Sequence, residues 1–168
     1  MNEWIRLLTQ FLHVASAIVW VGGGFYSFFV QLPGLLAAPP AARGPVSAQL
    51  TPRQVRYIRT AAEVTIVTGL LNLWATDRLG QFLDPFAQRW TIVLGFGIIL
   101  ALALYGLLRA RVFPLSMRTL ELGPKAAAGD AAAAAEIPQI IARLKSIGRV
   151  QVAMGILIIL AMITARLS

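Results

Sequence analysis

The chain of 168 residues contains no cysteine. Disulfide bonds, thiolate metal sites and cysteine nucleophiles are therefore excluded. Histidine is almost as scarce, because His13 is the only one, and one chain cannot provide two imidazole ligands to the same metal. Charged residues make up only 13% of the chain, compared with about 25% in a typical soluble domain. No Ser/His/Asp set and no paired carboxylates for acid–base catalysis can be recognised.

Hydrophobic residues, by contrast, account for 58% of the chain and are concentrated in long blocks. A membrane-spanning helix needs about 20 consecutive apolar residues. The first block, residues 7–42, contains no acidic or basic side chain apart from His13. It is longer than the roughly 7–15 apolar residues of a cleavable signal, so we expect it to be retained. The sequence therefore predicts an integral membrane protein surrounded by the lipid bilayer.

Four membrane-spanning helices are expected, over about residues 4–30, 52–77, 90–122 and 138–165. The second begins at Thr51-Pro52, a capping residue followed by proline at the first helical position. Its uncharged part is short, so it has the weakest apolar signal of the four. Residues 123–137 are rich in alanine and of low complexity, which predicts a mobile cytoplasmic loop or weak helix. The predicted fold is a single all-α domain, a four-helix transmembrane bundle.

The basic residues indicate how these helices are oriented. Most of the 15 arginines and lysines fall near the two long loops, after the first and the third predicted helix. Basic residues collect in cytoplasmic loops, so both loops are expected inside and both termini outside. Tryptophan and tyrosine, which favour membrane interfaces, sort to opposite ends: Trp4, Trp74 and Trp90 outside, and Tyr26, Tyr57 and Tyr105 inside. The net charge of +8 is thereby explained without nucleic acid, for which no basic helix face or aromatic platform is present.

His13 is the most informative residue for function. At a helical rise of about 1.5 Å per residue, it lies roughly 13 Å inward from Trp4. Ionisable side chains are rare at that depth and normally face the bundle or a cavity. Helical spacing puts His13 on one face with Trp20 and Gly24. Two interpretations are open: a neutral histidine hydrogen-bonded to a neighbouring helix, or a ligand to a metal or cofactor.

A second candidate ligand is Met154, on the fourth predicted helix. Threading the helices antiparallel places it at a depth similar to that of His13. The two residues could form a His/Met axial pair for haem iron. Otherwise Met154 fills space in the core, and a haem would be five-coordinate or shared between chains. Copper is a weaker candidate, because copper(I) prefers thiolate and thioether ligands and the chain has four methionines but no cysteine.

Glu63 is the one acidic residue within the apolar part of a predicted span. Arg59 precedes it by one helical turn, which favours an interfacial ion pair over a role in proton relay. On the same helix, Thr65, Thr68 and Asn72 are expected to hydrogen-bond to neighbouring helices.

The segment FLHVASAIVWVGGGFYSFFVQLPGLL resembles the first helix of copper-resistance D (CopD)-like membrane proteins, which begin with a leucine-histidine-valine-type stretch followed by tryptophan and glycines. The resemblance continues through RTAAEVTIVTGLLNLW, LLRARVFPL and RLKSIGRVQVAMGILIIL, across most of the chain. The pattern is also similar to the four-helix HemJ-type protoporphyrinogen oxidases, which share the early membrane histidine and are linked to haem b. The resemblance implies a multi-pass protein of the bacterial cytoplasmic (inner) membrane. It also implies a ligand role for His13, with Trp20 and Gly22-Gly23 as its motif companions.

These observations lead to one expected function and two alternatives. The expectation is a haem-b-binding membrane protein that passes electrons or supports a membrane oxidoreductase, working with a membrane-protein partner or a second copy of the chain. Haem supplies the redox chemistry, and the protein supplies an axial ligand and a dry pocket. The first alternative is a cofactor-free accessory subunit of a larger membrane complex, in which His13 is structural. The second is a CopD-like copper permease.

Overall fold

The structure is a computed structural model that describes residues 3–76, 79–83 and 88–167. These residues are helical with no strand among them, which confirms the predicted all-α class. Seven α-helices follow one another among them: α1 Glu3–Tyr26, α2 Leu32–Ala37, α3 Pro40–Ala75, α4 Leu79–Phe82, α5 Arg89–Leu107, α6 Phe113–Ala127 and α7 Ala131–Leu167. A π-helical segment, Ser27–Gln31, joins α1 to α2, and another, Leu108–Val112, joins α5 to α6.

Three continuous helical stretches are long and apolar enough to cross a membrane: Glu3–Ala37, Arg89–Ala127 and Ala131–Leu167. Their most apolar windows have mean hydropathies of 1.4, 2.4 and 2.1, and only 11–22% of each window is buried inside the protein. So much exposed apolar surface is unfavourable in water and favourable in the hydrocarbon core of a membrane. The chain therefore has the character of a membrane protein. Helix α3 falls outside this group, because arginines and glutamines interrupt its first half and Arg59, Glu63 and Asn72 lie in its second half.

The first π-helical segment explains why the helix end predicted near residue 30 is absent from the structure. Each of the two segments ends two residues before a proline, Pro33 in α2 and Pro114 in α6. Proline lacks the N–H that an uninterrupted α-helix would use at its position. The wider turn of a π-segment shifts the hydrogen-bond register. The first helical stretch consequently runs on to Ala37, beyond the predicted end near residue 30.

The second helix also departs from its predicted bounds of about 52–77. It begins at Pro40, after Ala38 and Pro39 adopt extended backbone conformations, so most of the predicted first loop is helical. The Thr51-Pro52 pair lies inside α3 rather than at its start. Helix α3 packs against α1, α2 and α6, and tertiary contacts routinely override a local capping signal.

Residues 123–137, predicted to be a mobile loop or weak helix, are mostly helical. Helix α6 continues to Ala127, three residues turn, and α7 begins at Ala131. Gly129 has a φ of +94°, a value that favours glycine, and the carboxylate of Asp130 accepts a hydrogen bond from the Ala133 N–H at 3.0 Å, as a capping residue does. Alanine is the best helix former, so a low-complexity alanine run extends a helix once a turn and a cap are in place.

Helices α1 and α3 pack antiparallel, and α5 and α6 pack against α7. Glycines bring α7 antiparallel to α1 as well: Gly24 contacts the side chain of Gln151, Gly155 contacts Val21, and Gly148 contacts Phe28. A core that includes Trp20 forms where these helices meet. Its other buried members are Ile58, Ala61, Ala62, Leu104, Leu108, Phe113 and Ile158.

Candidate functional site

His13 lies half-buried on α1 and faces α3. Its Nδ1 is 2.9 Å from the backbone carbonyl oxygen of Thr65. A carbonyl oxygen can only accept, so Nδ1 donates and carries the proton. In the neutral ring, Nε2 then holds the lone pair, and no described residue hydrogen-bonds to Nε2. The ring is thus held by one nitrogen and presents a Lewis base at the other.

Gly69, one helical turn beyond Thr65, makes room for the ring. A Cβ at this position would lie 2.9 Å from Cε1 of His13 and 3.2 Å from Nδ1. Side chains essentially never approach so closely, so His13 occupies space that only glycine leaves open. The sequence alone could not predict that Gly69 contacts His13.

Side-chain hydrogen bonds connect α1 and the π-segment after it to α3 on both sides of His13. Toward the N-terminus of α1, Asn72 donates to the Gln10 side chain, and one turn after His13 the Thr65 hydroxyl donates to Ser16 Oγ at 2.9 Å. Further along, Gln54 donates to Ser27. The predicted interhelical roles of Thr65 and Asn72 are therefore confirmed. The Thr68 hydroxyl instead donates to the carbonyl of Val64 within its own helix, so that part of the prediction was wrong.

Trp20 is a core residue. It is only 2% exposed and packs among the buried side chains of α3, α5 and α7. Its indole Nε1 is buried without a hydrogen-bond partner among the described residues, although buried indole N–H groups usually find one. It lies about two helical turns, roughly 10 Å, from His13 along α1. The two residues share a helix face as predicted, but Trp20 sits at a separate level.

The structure does not bring Met154 and His13 together. Gln151 packs on Gly24, so three residues further along α7 Met154 is level with Val21, where it packs against the core. This level is about eight residues, or roughly 12 Å, from His13 along α1. The sequence-based estimate aligned the outer ends of the helices. The actual register is set by close contacts at glycines, which a sequence does not pair.

Met162 is the methionine of α7 at the level of His13, by the same register. Its methyl group points to α5, where a Cβ at Gly97 would lie 3.0 Å from it. Among the described residues, no three histidine or acidic side chains are grouped so that they could hold a metal ion. At this level α1 offers a single imidazole nitrogen as a donor to a metal.

Glu63 forms the predicted ion pair with Arg59, at 3.7 Å between Oε1 and Nε. The same oxygen accepts a hydrogen bond from the Tyr105 hydroxyl at 2.8 Å, so the carboxylate also links α3 to α5. Both members of the pair remain more than two-fifths exposed. This exposure is typical of an interfacial ion pair, which contributes little to stability.

A cavity of about 620 Å³ lies away from His13, toward the end of the protein where the α2–α3 and α6–α7 turns are. Its lining includes neither His13, Trp20 nor Met154. The sequence analysis did not predict this cavity, although two uncharged polar residues inside apolar blocks, Gln31 and Gln151, could have indicated it.

Comparisons of this chain with protein-family models, with curated proteins and with solved structures found no match.

Proposed function

We propose that the protein is a haem-b-binding integral membrane protein in which His13 is an axial ligand, and that it passes electrons or supports a membrane oxidoreductase. The observation that carries this proposal is the hydrogen bond from His13 Nδ1 to the Thr65 carbonyl. Histidines that ligate metals almost always donate their other N–H to a carbonyl or carboxylate, which fixes the tautomer and orients the ring. A haem bound at Nε2 would supply the electron chemistry. The chain's own part is to hold the ring by Nδ1, so that Nε2 is the nitrogen left for a ligand.

The donor set fits a haem held by one ligand from this chain. Because Met154 lies at another level, the His13/Met154 pair predicted from the sequence is not part of the proposal. A five-coordinate haem, or a haem shared with a second copy or a partner subunit, is consistent with the single accessible nitrogen. Arg6 lies two turns before His13 on α1, exposed and with no carboxylate within ion-pair distance among the described residues. It would provide a cation for a haem propionate.

We further propose that the chain crosses the bacterial cytoplasmic membrane four times, with both termini outside. Helix α3 supports this because it runs beside α1 from the Ser27–Gln54 contact to the Gln10–Asn72 contact. If α1 spans the bilayer, α3, which lies beside it, spans the bilayer as well. The basic residues then fall on the cytoplasmic side, as they generally do, and the resemblance to CopD-like and HemJ-type proteins implies the same arrangement.

The alternative function is a cofactor-free accessory subunit, and a specific observation favours it. The His13–Thr65 bond lies in line with the Gln10–Asn72 and Ser16–Thr65 bonds. In that arrangement a histidine serves as one of several polar contacts that fix two helices together. The same hydrogen bond is therefore expected whether His13 is a haem ligand or a purely structural residue.

An absorption spectrum separates the two functions. The protein is produced with haem supply, purified from membranes in mild detergent, and its bound haem is quantified against protein by reduction in pyridine. A haem protein shows a Soret band and a defined haem-to-chain ratio, close to one for a five-coordinate site or one-half for a shared site. An accessory subunit shows neither, and that result would remove the haem proposal.

A further inference from the structure

The cavity near the turns, hereafter the turn-end cavity, has the size of a ligand site. Its volume of about 620 Å³ falls within the roughly 300–1,000 Å³ of small-molecule pockets. Its walls come from the π-segment after α1, from α2, α3 and α6, and from the first half of α7. Most of the lining is aliphatic or aromatic, including Leu32, Val55, Ile58 and Phe113. An occupant must therefore be largely hydrocarbon.

Serines, threonines and glutamines interrupt this apolar wall at separate positions. Gln31 donates to the Gln54 side chain at 2.7 Å, and Gln54 donates to Ser27. Gln151, on α7, also lines the cavity, and its carboxamide has no hydrogen-bond partner among the described residues. Amide N–H groups in an apolar wall are costly unless they are hydrogen-bonded.

Arg43 supplies the one positive charge among the residues that line the turn-end cavity. It is half-buried, and its Nε donates to the Ala38 carbonyl at 2.9 Å, which anchors the guanidinium beside the α2–α3 turn. No described carboxylate lies within ion-pair distance of it. A guanidinium binds phosphate through several parallel N–H groups. An anionic phosphate is therefore the group that this corner would bind.

We propose that the turn-end cavity binds one anionic phospholipid, with its phosphate on Arg43 and an acyl chain among the apolar residues. The positive charge lies at the end of the cavity beside the α2–α3 turn, and the apolar wall extends away from it, which matches the charged head and the hydrocarbon of such a lipid. Lipids also surround a protein with membrane-spanning apolar helices, so such an occupant is close at hand. The inference is independent of His13, because neither His13 nor its partners Thr65 and Gly69 line the cavity.

The test uses the full chain in nanodiscs of phosphatidylcholine, with added phosphatidylglycerol that has the same chains and carries a diazirine on one of them. After illumination, the crosslinked residues and the number of lipids per chain are read by mass spectrometry. We expect saturable labelling at one lipid per chain, within residues 113–124 and 137–151. Unlabelled phosphatidylglycerol should compete, and unlabelled oleate should not.

Two pairs of variants separate the head contact from the cavity. Arg43→Gln should weaken competition by phosphatidylglycerol about tenfold or more, since a hydrogen-bonded charge is lost. Arg56→Gln removes the same charge from an exposed position on α3 that does not line the cavity. It should change competition by phosphatidylglycerol less than about twofold.

Gly123→Phe should abolish labelling, because the Cβ at this cavity position meets no atom within 4 Å and the ring can enter without moving the backbone. Gly106→Phe is its control, equally unobstructed and outside the cavity lining.

Several outcomes would overturn the inference. Equal competition by phosphatidylcholine, or equal effects of Arg43→Gln and Arg56→Gln, would show that no anionic head is recognised. Competition by oleate as strong as by phosphatidylglycerol would assign the cavity to a free fatty acid. Labelling spread over the exposed residues Ile156, Leu157, Ile159 and Leu160, or unchanged in Gly123→Phe, would mean that the probe reports ordinary lipid around the protein.

Discussion

Gly69 leaves the space that the imidazole of His13 occupies, with a Cβ at Gly69 falling 2.9 Å from Cε1 of the ring. The ring cannot swing away without losing the hydrogen bond from Nδ1 to Thr65. The position of the candidate ligand is therefore determined by two features of α3, one missing side chain and one backbone carbonyl.

The first prediction follows from this contact. Gly69→Ala should lower stability by about 1–3 kcal/mol, as overpacking of a fitted site does, and should reduce any haem occupancy. The gain in helix propensity from alanine, up to about 1 kcal/mol, does not offset it. Gly22→Ala is the matched control, because its Cβ would meet no atom within 4 Å. Thermal unfolding in detergent measures both, and equal midpoints for the two variants would contradict the close packing at Gly69.

The second prediction concerns the turn between α6 and α7. Elastase, which cleaves after small residues, should cut the purified protein at Ala128–Gly129 and spare the alanines of 131–135, because those lie in α7. Cleavage throughout 131–135 would instead restore the predicted mobile loop. The experiment therefore distinguishes a short turn from a disordered alanine-rich segment.

An ion pair across the hairpin gives the third prediction. Arg118 holds Glu136 through two hydrogen bonds of 3.1 Å, between Nε and Oε1 and between Nη2 and Oε2. Exposed pairs contribute modestly, so Glu136→Gln should speed elastase cleavage at the turn by about twofold to fivefold. Glu121→Gln should have less effect, because Glu121 pairs with Arg118 only within α6. A larger effect from Glu121→Gln would contradict a role for Glu136 in closing the hairpin.

Membrane orientation gives the fourth prediction. A reporter fused after residue 168 should be active on the outer side of the membrane, and one inserted at Gly129 should be active in the cytoplasm. A third reporter at residue 39, in the α2–α3 turn, should agree with the one at Gly129, because α1 and α7 run antiparallel. Disagreement between the reporters at 39 and Gly129 would contradict four crossings.

Much of the helical architecture could be predicted from the sequence, because apolar blocks of spanning length have few alternatives. The hydrogen-bonding roles of Thr65 and Asn72 were also accessible, since polar side chains on an otherwise apolar helix seek partners on its neighbours. Boundaries were less predictable. Pro33 suggests a helix end in isolation, and only the π-helical segment before it allows the helical stretch to continue.

The candidate site could be predicted in part. His13 was identified from its type and depth, and the structure supplies its partners on α3. The level of Met154 could not be predicted, because the register of α7 depends on which bulky side chain meets each glycine, as Phe28 meets Gly148. The turn-end cavity was missed for a related reason. A cavity is a property of several helices at once, and a sequence shows each wall separately.

The central claim is that His13 is an axial ligand to haem, and the most direct test compares the spectra of His13→Asn and wild-type protein purified with haem supply. Asparagine retains an amide N–H that can donate to the Thr65 carbonyl, so the α1–α3 contact is kept while the ligating nitrogen is lost. Met154→Leu serves as the control, because the level of Met154 on α7 is about 12 Å from that of His13 on α1, measured along the helix axes. We predict a Soret band in the wild type and in Met154→Leu, and its loss in a folded, membrane-inserted His13→Asn. An unchanged Soret band in His13→Asn, or none in the wild type, would contradict the claim.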